Sequence, residues 1–125
     1  LRRQRQMCIR DRAGDEETRA RLERDVAVLK RCEVAPDRLT DGVDLFPLHG
    51  VTPGLTGLLI SQMRSTLLVC GDAIATAEHL ERGMVLNEAV DVKQAQESFR
   101  EAVEIADAFV PGRDNVMANP VRRGF

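Results

Sequence analysis

His49-Gly-Val-Thr-Pro-Gly-Leu-Thr-Gly57, Val69-Cys-Gly-Asp72 and Val110-Pro-Gly-Arg-Asp-Asn115 decide the reading of this chain. Each looks like a strand that ends in a polar loop, where glycine and proline stop regular structure. Asp72 leaves a buried-looking strand through Cys70 and Gly71, so its carboxylate emerges at a sheet edge. A Gly-Asp pair also starts turns, which is the plain structural reading of this dipeptide.

Working outward, Val43 to Leu48, Leu58 to Ser61 and Thr66 to Cys70 read as strands. The last two flank Gln62-Met-Arg-Ser65, a hairpin-length connection, so they should pair antiparallel. Asp91 to Asp107 reads as a helix: Val92, Ala95, Phe99, Ala102 and Ala106 recur at steps of three and four, and Asp91 with Gln94 makes a capping-box pattern. Ala108 to Val110 then forms a short strand, and the tail after Asn115 reads as loop. Upstream, Leu22, Val26 and Leu29 mark an amphipathic helix over Asp15 to Arg31, capped by Asp15 or Gly14. Pro36 and Thr40-Asp-Gly42 mark a loop and a turn. This order of strands and helices predicts an α/β fold of the α+β type.

At 125 residues, with 43% hydrophobic and 30% charged residues, the chain suits one soluble globular domain or part of one. The longest stretch without charge, Leu45 to Met63, is broken by Pro47 and Pro53, so no membrane span is expected. A secretory leader is not visible either. Cys8, Cys32 and Cys70 are odd in number with no CxxC spacing, which points to reduced thiols in a cytoplasmic protein. No serine-hydrolase elbow, P-loop or dinucleotide fingerprint occurs.

Residues 1–12 hold five arginines against one aspartate, and Gln6-Met-Cys-Ile-Arg-Asp-Arg12 resembles a translated sequencing adapter. Setting this segment aside removes a net charge of +4 and takes the chain from −2 to −6. An acidic chain gives no basic face for phosphates, so no nucleic-acid partner is expected. The domain proper is then 13–125, and an adapter at its start implies that the natural protein begins further upstream.

Together the three segments resemble the C-terminal half of a metallo-β-lactamase-fold hydrolase, an αββα sandwich whose metal ligands sit at strand ends. The resemblance implies zinc, or iron or manganese, in the full-length parent, with Asp72 as the carboxylate that bridges two metals. Thr52-Pro-Gly54 and Thr56-Gly57 match the second half of a Thr-Pro-Gly-His-Thr-Pro-Gly pattern, in which the ligand histidine falls on Val51. His49 reaches that role only with a two-residue shift, and otherwise is a loop histidine, solvated or bonded to backbone. Val110-Pro-Gly-Arg113 matches a closing Val-Pro-Gly-His, with Arg113 where the second metal's histidine belongs. A guanidinium stays protonated and offers no lone pair, so it cannot be a ligand.

Arg113, Thr52 and His79 are the cleft residues in this alignment. Arg113 is expected to occupy the space of the lost metal and pair with Asp72; the alternative is a surface arginine paired with Asp114 or water. His79 is a rim residue or a solvated helix residue. Glu78 beside it diverges by about 100° on a helix and forms no ligand pair with it. The family's first ligand cluster, His-x-His-x-Asp-His, has no counterpart in 13–125.

Two functions follow. In the first, the chain is the C-terminal portion of a metal-dependent hydrolase acting on a small-molecule substrate, inactive as this fragment. In the second, it is a metal-free binding or regulatory module that uses the old cleft for an anionic ligand. In both, the partner is the missing N-terminal half of its own domain, without which a sheet edge is exposed to aggregation.

Overall fold

The computed structural model describes residues 2–122, with side chains described from residue 14 to 122. It divides into two compact units, one up to Ala35 and one from Pro36 onward.

The first unit is helix α1, Arg2–Leu29. The sequence places the helix start at Asp15, with a cap at Asp15 or Gly14; instead the helix runs straight through Gly14. Arg, Gln, Glu, Ala and Leu dominate both sides of that glycine, and a lone helical glycine costs only about 1 kcal/mol against such propensities. The adapter-like stretch falls on the first turns of α1, where side chains lie outside the described residues. The stripe of Leu22, Val26 and Leu29 is exposed.

The second unit is a six-stranded sheet with spatial order equal to chain order: β1 Arg38–Thr40, β2 Val43–Pro47, β3 Thr56–Ser61, β4 Thr66–Gly71, β5 Ala108–Pro111 and β6 Met117–Ala118. All neighbours are antiparallel except β4 and β5, which run parallel and are linked through helices α2, Ala77–Arg82, and α3, Val92–Ile105. Such a parallel pair needs a crossover, and α3 supplies it. The β3–β4 hairpin forms as the sequence predicts, with Leu59 opposite Leu68. No described helix is long and apolar enough to cross a membrane.

Three expectations need correction. Arg38 to Thr40 is a strand, and Asp41-Gly42 is its hairpin turn, Gly42 taking the left-handed φ of 77° that the tight reversal requires. Strand β3 begins at Thr56, two residues early, since Gly57 lies opposite Phe46 with no room for a Cβ against the Val69 carbonyl. The tail after Asn115 is not all loop: β6 pairs with β5 and a 3-10 turn follows at Pro120–Arg122, while its last three residues lie outside the described residues. Asn119 organises that tail. It is buried, its amide donates to the Val103 and Ala106 carbonyls at the end of α3, and its Oδ1 accepts from Val121 N–H. These are helix-end carbonyls that lack intrahelical partners.

At the start of α3, Asp91 accepts from Gln94 N–H at 3.0 Å, the forward half of the expected box. The Asp91 N–H instead donates to the Gly50 carbonyl at 2.9 Å, which ties the helix to the loop after β2. Ala95, Ala102 and Ala106 face the core as predicted and Phe99 packs against it, but Val92 is exposed and Ser98 is buried.

Period-two alternation gives the sheet two distinct faces. Leu48, Leu68, Cys70 and Phe109 form one core with Leu80, Ala102 and Ala106. The opposite face is equally apolar. By register it carries two cross-strand rows, Val43–Ile60–Leu67–Ala108 and Leu45–Leu58–Val69–Val110. These eight side chains are only half buried and belong to neither core cluster of the described residues.

Candidate strand-end site

The parallel pair puts two chain reversals side by side at the carboxyl ends of β4 and β5, where open sheets commonly build sites. Gly71, at φ 54°, turns the chain out of β4 into Asp72, and opposite it Pro111 leads into Gly112 and Arg113. Gly112 N–H donates to the Ile74 carbonyl at 3.1 Å and Arg113 N–H to the Ala75 carbonyl at 2.8 Å, so the loops are laced backbone to backbone. A side chain at position 112 has no room: its Cβ would lie 2.6 Å from Asp72 Oδ1 and 2.7 Å from the Gly71 carbonyl carbon.

On this frame Arg113 reaches Asp72 with both arms of its fork, Nε donating to Oδ1 and Nη2 to Oδ2, each at 3.2 Å. Glu88 Oε2 stands 4.0 Å from the same Nη2. The guanidinium pKa is raised above its usual value, chiefly by the hydrogen bonds to Asp72 and then by that carboxylate's charge. Both side chains remain partly exposed, 53% for Arg113 and 37% for Asp72, so solvent screens the pair and its contribution to stability is modest.

Asp114 does not pair with Arg113. Its Oδ2 accepts from Ala77 N–H at 3.0 Å at the start of α2, and its Oδ1 accepts from Asn115 N–H at 2.8 Å. Those two bonds hold its pKa below the usual carboxylate value.

The remaining candidates are placed elsewhere in the bonding pattern. Thr52 is exposed, and its carbonyl accepts from Gly50 and Leu55 N–H. His79 is half buried on α2 and shares a 2.8 Å hydrogen bond between Nδ1 and the Thr76 hydroxyl, which also caps the helix. His49 departs from the expected solvated or backbone-bonded ring: it is half buried and its Nδ1 is buried with no hydrogen-bond partner. Its backbone carbonyl accepts from the Ser98 hydroxyl at 2.6 Å, which explains why a serine occupies the buried face of α3. Val51 packs with Ala75, Val85, Leu86 and Ala95.

The structure thus brings Asp72 and Arg113 together, while Thr52, His49 and His79 hydrogen-bond to neither. Sequence reasoning missed Glu88 and Gly112. The Pro-Gly dipeptide signalled a turn at Gly112, but only the parallel register reveals the packed contact; Glu88 carried no signal.

A zinc, iron or manganese ion does not fit the donors present. Both Asp72 oxygens are engaged by a cation, Val51 is an apolar core residue, and Arg113 offers donors only. Among the described residues no three His, Cys, Asp or Glu side chains converge as a metal-binding group.

No family model matches the chain, and no curated protein matches it. Solved structures do. A dizinc quorum-quenching lactonase, AidC, in complex with a product, aligns with TM-score 0.54 and 15% identity over 69% of this chain and 32% of its own. The hydrolase AbOPH of the beta lactamase superfamily aligns with TM-score 0.52 and 14% identity over 63% of this chain and 30% of its own. An N-acyl homoserine lactone hydrolase with its product bound at the catalytic metal center is 28% identical over 66% of this chain and 33% of its own, at TM-score 0.48. The chain spans about a third of the length of the solved structures it matches. With its mixed six-stranded sheet and its strand-end loops, the chain is a part of a metallo-β-lactamase fold.

Proposed function

We propose that this chain is the C-terminal portion of a cytoplasmic metallo-β-lactamase-fold hydrolase that acts on a small ester- or lactone-type substrate, and that it is not a competent hydrolase alone. The observation that carries the reading is the meeting of the β4 and β5 loops at the carboxyl ends of parallel strands, with Asp72 presented at the crevice. The half-exposed apolar face of the sheet supports the fragment reading, because two sheets packed face to face bury such faces against each other. In the parent, the metal, with zinc, iron or manganese as the candidates, would supply a polarising Lewis acid and an activated water. Its ligands would come from outside this chain, because the donors here do not fit one.

A second reading, a metal-free binding module taking an anionic ligand, is favoured by the engagement of both Asp72 oxygens with Arg113. The upstream sequence separates the two, with a His-x-His-x-Asp-His cluster supporting the hydrolase. The test is hydrolysis of an N-acyl homoserine lactone, followed by acid release, together with metal content on the chain rejoined to its natural upstream sequence. Turnover by the rejoined protein and none by residues 13–125 is the expected result. A folded rejoined protein with stoichiometric metal and no hydrolysis of lactones, esters or thioesters would remove the hydrolase reading.

A further inference from the structure

We infer that Arg113 acts as a resident cation: its guanidinium takes the place of a metal ion at Asp72, holding the β4 and β5 loops together and closing that carboxylate to divalent cations.

A carboxylate binds a metal through one oxygen or both, and here each accepts one arm of the same positively charged guanidinium at 3.2 Å. The arginine reaches it by construction. Gly112 brings the β5 loop against the Gly71–Asp72 backbone more closely than any Cβ permits, and the Arg113 N–H is anchored on the Ala75 carbonyl. Asp114 fixes the far side of the loop on the first turn of α2, so the arginine is not free to swing to its own neighbour.

The charge also matches. Asp72 and Glu88 both face the guanidinium, at 3.2 and 4.0 Å, so the cation at this point is flanked by two acids. A divalent ion would have to displace a fixed positive charge, and no third His, Cys, Asp or Glu converges with these acids among the described residues to compensate. Removing one unit charge about 4 Å away in a water-like dielectric changes the affinity for a divalent cation about thirtyfold.

The probe is Mn2+ alone, whose paramagnetism broadens amide signals even for weak binding, read by two-dimensional NMR on the full chain. The wild type is expected to show no selective broadening at Gly71–Ala73 and Gly112–Asp114. Arg113→Gln, which removes the charge and keeps a polar amide, is expected to show broadening there at about thirtyfold lower Mn2+. Adding Asp72→Asn to it should abolish the effect, and Arg113→Lys should restore the wild-type behaviour. Retained signal dispersion establishes that each variant is folded; should Arg113→Gln unfold, Arg113→Ser takes its place. Selective broadening of the wild type at these amides, or no difference between wild type and the neutral variants, would overturn the inference. Either result is independent of whether the parent hydrolyses anything.

Discussion

Replacing Gly112 by alanine tests the packing of the two strand-end loops directly. The added Cβ would lie 2.6 Å from Asp72 Oδ1, 2.7 Å from the Gly71 carbonyl carbon and 2.8 Å from its oxygen. Ordinary contact needs about 3.4 Å, so roughly 0.7 Å of give is required. Asp72 can rotate its carboxylate away, at the loss of an ion pair that solvent screens. The Gly71 backbone cannot move without parting the β4–β5 ladder, and overpacking of that kind costs about 1–3 kcal/mol. An overpacking cost of about 2 kcal/mol lowers Tm by about 8–16 °C for a unit of this size. Gly54→Ala is the control: nothing lies within 4 Å of its built Cβ and its φ is not positive, so its change should stay within about 0.5 kcal/mol. The assay is thermal and urea unfolding of both variants side by side. Equal Tm values within about 3 °C, a spread smaller than the effect of 1 kcal/mol, would refute the packing argument.

Asn119→Ala should cost about 2–3 kcal/mol in urea unfolding, since it strips two helix-end carbonyls and the Val121 N–H of their partner in a buried place. A loss below about 0.5 kcal/mol would mean that the tail does not depend on this residue. Cys70 is buried and its pKa is pushed up to about 12 by the cost of burying the thiolate, so at pH 8 it should resist alkylation until unfolding while exposed Cys32 reacts; peptide mass mapping distinguishes them. Asp107 has a depressed pKa, first through its bond from Thr66 N–H and then through Arg122. Its stabilisation is therefore present above the ordinary aspartate value and is lost as pH falls through the lower folded value. Asp107→Asn should flatten the acid limb of the stability–pH curve, and an unchanged limb would show that Asp107 carries none of it.

The sheet strands around the three opening segments were legible in the sequence because alternation and turn residues are local signals. So was helix α3: its face repeats at three and four, and Asp91 begins it. Strands β1 and β6 were not legible. Arg38-Leu-Thr and Met117-Ala are too short to show a period, and each is a strand only because a neighbour offers it a ladder. The α1 start was misread because Gly14 looks like a stop where flanking helix formers outweigh it.

Within the site, residue types alone say that Asp72 follows a strand, that Arg113 cannot ligate a metal, and that Val51 has no donor to give. These are properties of side-chain chemistry and hold in any conformation. That the guanidinium meets both oxygens of Asp72, that Glu88 stands beside it, and that Asp114 turns away to α2 was decided only by the tertiary structure. Residues 41 positions apart become neighbours through the parallel register of β4 with β5. That register depends on a crossover through α3 and on a glycine with no space for a side chain, which no local pattern encodes.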